Sequence, residues 1–117
     1  MHAELRWLST SDFSNWDEFA AAERDLLDCS GWFYCGVGLP GDPAMEDFQF
    51  CATTPPALAA LQQERRRLRF ILVDEFTREE IERQLRSFLA HSSGNSWPQV
   101  RDQLRQRMYS EYESTTD

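Results

Sequence analysis

Residues 36–41 place three glycines at the spacing G-x-G-x-x-G, which is typical of a turn that binds the pyrophosphate of a dinucleotide. Such a turn lies between a strand and a helix whose N-terminus faces the phosphate. Here the segment that follows, 46–53, alternates as a second strand. Two prolines remove backbone donors, and Asp42, Glu46 and Asp47 would repel a phosphate. The glycines therefore predict a hairpin connection and no nucleotide site.

A thiol nucleophile is the second chemistry that the residues could support. Cys51 ends a predicted strand ahead of a helix start, where the helix dipole lowers a thiol pKa. No histidine lies near it in the sequence, and Ala57 stands where a phosphatase loop of the cysteine type has arginine. We predict that Cys29, Cys35 and Cys51 are reduced thiols that pack as small apolar groups.

Other catalytic and metal sites have little support. His2 lies near the N-terminus and His91 at a helix end, and neither has ligand spacing to a cysteine. The paired acids at 74–75 and 79–80 fall in a loop and in a first helical turn, where acids are expected. The arginine-rich run 65–69 is expected to be part of a balanced surface. The sequence contains no catalytic constellation, so we predict no enzyme activity, no cofactor and no metal.

Periodicity and capping predict the elements that position these residues. Together they predict an α+β fold, in which a small, mainly antiparallel sheet of about four strands is covered by two to four helices. We expect Leu5 and Trp7 on one face of the first strand, and the last strand to be buried on both faces. The strands are predicted at 3–8, 31–37, 46–53 and 68–73, and the helices at 15–28, 55–63, from 78 to about 91, and from 97 onwards.

Capping patterns predict where three of the helices begin. Thr54 is expected to cap a helix whose first residue is Pro55, and Leu58 and Leu61 of that helix should face inward. Thr77 with Glu80 forms a capping box, and Ser96 begins a second one.

Length and composition favour one globular domain. The chain has 117 residues, of which 41% are hydrophobic, so we expect a single domain at 1–113 and a frayed tail at 114–117. No apolar run approaches the roughly 20 residues of a membrane helix, and the N-terminal residues do not form a secretion signal. We therefore expect a cytoplasmic protein.

The charge of the chain is concentrated in its first part. There are 20 acids and 12 bases, and the net charge is −8. Ten of the acids and two of the bases lie in the first 50 residues. Such a field repels nucleic acid and anionic membranes and attracts a basic partner. A solvated surface that serves only solubility is the alternative.

Several short motifs occur in an order that is similar to a known family. An aromatic strand ends in Val-Gly and leads through a glycine-rich hairpin to Asp-Phe-Gln-Phe-Cys at 47–51. The apolar strand 70–74 follows, then Gly-Asn-Ser-Trp at 94–97 and Tyr-Ser-Glu-Tyr at 109–112. Over about residues 30–112 the chain resembles the immunity protein 8 family of bacterial polymorphic-toxin systems, although Ala57 replaces the family's tryptophan. The motif residues are Phe48, Phe50, Cys51, Thr54, Pro55, Leu58, Trp97, Tyr109, Glu111 and Tyr112.

The resemblance implies a protein that is not an enzyme and that binds and neutralises a cognate toxin domain. Many toxin domains are nucleases with basic clefts, so an acidic surface would speed capture and could cover the cleft. For Trp16, packing in the core is the alternative to a role as an aromatic anchor. The predicted toxin-binding residues are Trp16, Asp17, Glu18, Asp25, Asp28, Asp42, Glu46 and Asp47.

Two other functions stay open at this point. An acidic adaptor or DNA mimic would bind a basic housekeeping protein without any toxin. A small enzyme with dispersed catalytic residues would require a pocket that holds Cys51 beside a histidine or an arginine. Neither alternative requires binding of nucleic acid or of a membrane, and no residue selects an oligomeric state.

Overall fold

The computed structural model describes residues 1–111 of the chain. Tyr112 of the family motif and the predicted tail at 114–117 lie outside the described residues. The observed fold is α+β, as predicted, with a mainly antiparallel sheet of five strands and four helices within the described residues. The elements are β1 (Glu4–Thr10), α1 (Trp16–Ala21), β2 (Ser30–Gly38), β3 (Met45–Thr53), α2 (Pro55–Glu64), β4 (Phe70–Leu72), α3 (Arg78–Ala90), α4 (Trp97–Leu104) and β5 (Tyr109–Ser110).

The centre of the sheet is the antiparallel hairpin of β2 and β3, which pairs from Ser30 opposite Thr53 to Gly38 opposite Met45. Gly41 in the connecting turn has a φ of 81°, a left-handed conformation that favours glycine. The glycine-rich segment is therefore a hairpin connection, as predicted. β1 pairs with the outer edge of β2, and the outer edge of β3 is shared between β5 and the parallel strand β4.

The core lies between one face of this sheet and three of the helices, α1, α3 and α4. Phe33, Phe48 and Phe50 point from β2 and β3 into it and are at most 1% exposed. The apolar residues of α3 form one stripe, because Ile81, Leu85 and Leu89 are buried and Phe88 packs against their edge. The helical residues of this core are Phe19, Ile81, Leu85, Leu89, Val100 and Leu104.

The prediction that Leu5 and Trp7 share a face of β1 is wrong. Leu5 pairs with Val37, but Trp7 pairs with Gly36, because the register shifts between them. This β-bulge at Arg6 turns Leu5 toward the core and Trp7 toward the opposite face. The Arg6 guanidinium also donates to carbonyl oxygens of the 39–42 turn, which ties the bulge to the hairpin.

Two elements are shorter than predicted. α1 ends at Ala21 and not near residue 28, because the Asp25 carboxylate accepts a hydrogen bond from Leu27 N and forms a local turn that competes with the helix. β4 contains only 70–72, and Leu72 is 42% exposed, so the expected burial on both faces is wrong. β4 is an edge strand that pairs with only three residues of β3, because β5 occupies another part of the same edge.

The capping predictions are correct in position and partly wrong in their hydrogen bonds. Thr77 Oγ1 accepts from Glu80 N at 3.3 Å, but the Glu80 carboxylate accepts from Asp74 N and not from Thr77 N. Thr54 stands at the N-cap of α2, yet its hydroxyl bonds with the backbone of Cys29.

The second predicted capping box and the inward face of α2 also differ from expectation. Ser96 lies at the N-cap of α4 without a side-chain capping hydrogen bond, and Gln99 Oε1 accepts from Asn95 N instead. No residue of α2 is fully buried, and Leu58 and Leu61 are half-buried.

Candidate functional site

The face of the sheet opposite the core carries a row of aromatic and acidic side chains. Gly36 of β2 pairs with Trp7 on one side and with Asp47 on the other. Beyond Asp47, Glu111 follows β5, and its carboxylate accepts from Asp47 N at 3.2 Å. A Cβ at Gly36 would be 2.1 Å from Trp7 Nε1, so the indole lies directly against the glycine backbone. The absence of a side chain at Gly36 therefore lets Trp7 approach the acidic pair.

A second row runs beside the first. Tyr34 of β2 pairs with Ser9 of β1 and with Gln49 of β3, and Gln49 pairs with Tyr109 of β5. Tyr34 stands at the centre of the face and is 43% exposed, whereas Tyr109 is almost fully buried. The Tyr109 hydroxyl accepts from Arg69 N at 3.0 Å, which fixes its ring in the floor of the face.

Two open clefts meet at Tyr34 and cover most of this face. One has a volume of about 480 Å³ and the other about 440 Å³. Within the described part of the chain, sheet residues, the 11–12 turn and Arg65 line them, and no residue of a helix does. The first is lined by Trp7, Ser9, Tyr34, Asp47, Phe48, Gln49, Tyr109, Ser110 and Glu111, and the second by Ser11, Asp12, Trp32, Tyr34, Gln49, Arg65 and Tyr109.

Arginines of the chain itself already stack on one end of this face. Arg65 Cζ lies 5.3 Å from the ring centre of Trp32 and 5.7 Å from that of Tyr109. Arg69 Cζ lies 4.6 Å from the Tyr109 ring. These are cation–π distances. No arginine within residues 1–111 stacks in this way on Trp7 or Tyr34, so the rings at the other end lack a cation from the described chain.

Asp47 and Glu111, the acidic pair beside Trp7, are close enough for their charges to repel each other. Burial raises the pKa of Asp47, and the neighbouring Glu111 carboxylate raises it further. Neither carboxylate forms an ion pair with another residue of 1–111. A cation placed between them would offset the repulsion between the two carboxylates.

The cysteines do not form a reactive site. Burial raises the pKa of Cys35 to about 12 and that of Cys51 to about 11. Cys29 is half-buried, and burial raises its thiol pKa as well. All three are free thiols, as predicted. Because only the thiolate is a nucleophile, Cys35 and Cys51 are inert near neutral pH.

Trp16 packs against the core, which is the alternative that the sequence left open. Its ring stacks on Phe33 with a centroid distance of 6.0 Å, and its Nε1 donates to Leu8 O at 3.2 Å. Arg78 Cζ lies 4.6 Å above the ring. Asp17 and Glu18 are exposed beside it on α1, which lies on the face of the sheet opposite the clefts.

The other predicted acids do not form one surface. Asp25 and Asp28 are exposed in the segment that follows α1. Asp42 is exposed in the hairpin turn, where its carboxylate accepts from Ala44 N. Asp47 is the only member of the predicted toxin-binding set that lines the two clefts.

Glu46, which the sequence suggests as a toxin-binding residue, does not lie on the surface. It is 4% exposed, since the alternation of β3 turns it to the core side. Trp97 Nε1 donates to its carboxylate at 3.3 Å, the Ser110 hydroxyl also donates to it, and Arg101 lies 3.6 Å away. Glu46 therefore joins β3 to α4 and β5 inside the protein.

The motif residues divide between the core and the cleft face. Phe48, Phe50 and Cys51 are buried in β3, while Tyr109 and Glu111 line the clefts. Thr54, Pro55 and Leu58 form the start of α2, and Trp97 binds the buried Glu46.

Sequence reasoning missed the aromatic residues that dominate the candidate site. Trp32 and Tyr34 alternate with the buried Phe33 and Cys35, which was a usable signal that both faces of β2 carry large side chains. Trp7 could not be assigned in this way, because the bulge in β1 changes its face.

Comparison with known proteins finds one family that matches almost the full length of the chain. A model of the family described as immunity protein 8 matches residues 3–115. No curated protein and no solved structure matches. Among residues 1–111, no helix is long and apolar enough to cross a membrane, and no group of three or more potential ligands could hold a metal ion.

Proposed function

We infer that this chain, which belongs to the immunity protein 8 family, binds a cognate toxin domain through an acidic surface and blocks it. The observation that carries the proposal is the family match, which extends over residues 3–115. Proteins of this family are immunity proteins and are generally not enzymes. The inert thiols of Cys35 and Cys51 agree with a binding role.

The charge of the chain favours a basic toxin domain. A net charge of −8 on 117 residues produces a negative field that accelerates encounter with a positively charged partner. A nuclease domain is such a partner, because it must attract the phosphate backbone of its substrate. We place the interaction in the cytoplasm of the producing cell, where a nuclease would reach its target.

Co-expression tests this function directly. The toxin domain is the C-terminal domain encoded by the gene immediately upstream, expressed in a sensitive host with or without this chain. Survival only in the presence of the chain, together with co-purification of the two proteins, is the expected result. Death despite the chain would overturn the proposal.

The acidic adaptor or DNA mimic predicts a different outcome. Its partner would be a basic housekeeping protein, and the upstream gene product would be neither toxic nor bound. Capture of a chromosomal DNA-binding protein in place of the toxin domain would favour this alternative.

A further inference from the structure

We propose that the face of the sheet opposite the core is the docking surface for the toxin domain, and that it takes an arginine or lysine side chain of the toxin against Trp7 and Tyr34, with Asp47 and Glu111 as its counter-charges. This inference rests on the proposed function. It names the surface and the chemistry of the toxin residue that enters it.

The chain itself displays this kind of contact at the other end of the same face. There Arg65 approaches the rings of both Trp32 and Tyr109. Trp7 and Tyr34 present comparable rings without an arginine from residues 1–111. The Trp7 and Tyr34 end of the face therefore offers aromatic rings on which a cation from a partner can stack.

Charge complementarity identifies the occupant. Asp47 and Glu111 line the same cleft as Trp7 and Tyr34, and neither has an ion-pair partner within residues 1–111. The Glu111 carboxylate raises the pKa of Asp47, so a guanidinium or ammonium group from the partner would favour the charged form of Asp47. An anionic or purely apolar partner would leave them uncompensated.

At the predicted surface around α1, arginines of the chain itself already stack on two aromatic rings. The rings of Trp16 and Phe19 already carry Arg78 and Arg24, with Cζ-to-centroid distances of 4.6 and 4.0 Å. The cleft beside them contains both arginines together with its acids. A cationic side chain of the toxin would therefore compete there with arginines of the chain itself.

Equilibrium binding to the purified toxin domain distinguishes the two surfaces. Tyr34→Ala and Asp47→Asn should each weaken the affinity by about tenfold or more, as expected for an aromatic anchor and its partly buried counter-charge. Tyr34→Phe keeps the ring and should bind as the parent does. Asp17→Asn and Glu18→Gln remove acids on the opposite face and should change the affinity less than about threefold.

Photo-crosslinking separates direct contact from an indirect effect on folding. A photoreactive phenylalanine analogue in place of Tyr34 should crosslink to the toxin domain, and the same analogue in place of Glu18 should not. Circular dichroism and thermal unfolding confirm that each variant is folded. Parent-like affinity of folded Tyr34→Ala and Asp47→Asn, with crosslinking only from position 18, would overturn the docking surface and leave the proposed function intact.

Two other occupants give different results. If residues 112–117 cover the face as an internal contact and the toxin docks elsewhere, a variant that ends at Glu111 should be less stable than the parent and should bind the toxin domain with unchanged affinity. If a second copy covers it, the chain alone should sediment as a dimer that Tyr34→Ala dissociates. Either result would overturn the proposed docking surface, whereas failure of the parent chain to bind the toxin domain would refute the proposed function itself.

Discussion

Gly36 allows Trp7 to lie against the backbone of β2. In Gly36→Ala the new Cβ would meet Trp7 Nε1 at 2.1 Å, so the indole must move away from the sheet. We expect a loss of about 1–3 kcal/mol in the free energy of unfolding, as for other overpacked sites. A red shift of tryptophan fluorescence should accompany it, because the displaced indole becomes more exposed to water.

Gly41→Ala is the matched control for this change. Its Cβ would meet nothing within 4 Å, but its φ of 81° disfavours any residue with a side chain. Denaturant titration should give a loss of about 1–2 kcal/mol, the usual cost of a left-handed residue. The tryptophan emission should stay at the parent wavelength. Equal spectral shifts in both variants would contradict the role assigned to Gly36.

Glu46 is a buried connector, although the sequence suggests a binding residue. Glu46→Ala removes the acceptor of the Trp97 indole and of the Ser110 hydroxyl, and it leaves Arg101 without its carboxylate. Chemical denaturation should show a loss of about 3 kcal/mol, because buried polar groups lose their partners. Glu4→Gln disrupts an exposed ion pair to Arg6 and should cost less than about 1 kcal/mol. Similar costs for the two variants would contradict the burial of Glu46.

The start of α3 provides a test of one local element. Thr77→Ala removes the hydroxyl that accepts from Glu80 N, and thermal unfolding should show a loss of about 1 kcal/mol. Ser96→Ala changes the same capping position of α4, where the hydroxyl makes no capping hydrogen bond, and should have a smaller effect. A larger loss from Ser96→Ala would show that the observed caps do not control these helices.

Glu80 makes the stability of this helix start depend on pH. Burial raises the pKa of Glu80, but hydrogen bonds from Asp74 N, Arg83 and Gln84 outweigh it and hold the pKa below its usual value of 4.5. A lowered pKa in the folded state gives stability that is complete above the unfolded pKa and is lost as pH falls through the folded one. In unfolding experiments from pH 7 to pH 3, Glu80→Gln should therefore be less stable than the parent at neutral pH. The difference should shrink below about pH 4.5, and a constant difference would contradict the assignment.

Elements with local signals were predictable from the sequence. The alternation of β3 and the start of α3 at residue 78 each depend on neighbours within one strand or one turn, and both predictions are correct. The shortness of β4 was not predictable, because it results from competition with β5 for one edge of β3. The bulge in β1 also depends on a distant contact, since Arg6 reaches the 39–42 turn.

At the scale of the whole molecule, the sequence predicts the sign of the field and not the position of the site. The net charge of −8 can be counted, but the fold distributes the acids over both faces of the sheet. Asp47, Tyr109 and Glu111 could be identified as hairpin or motif residues. Their position beside Trp7 and Tyr34 depends on the register of four paired strands, and no local sequence pattern determines that register.

The central claim is that this chain neutralises a toxin domain by binding it. The most direct measurement is the residual activity of the purified upstream-encoded toxin domain as this chain is added. Tight binding predicts a linear loss of activity that reaches zero near equimolar protein. Full toxin activity in the presence of excess chain would contradict the claim.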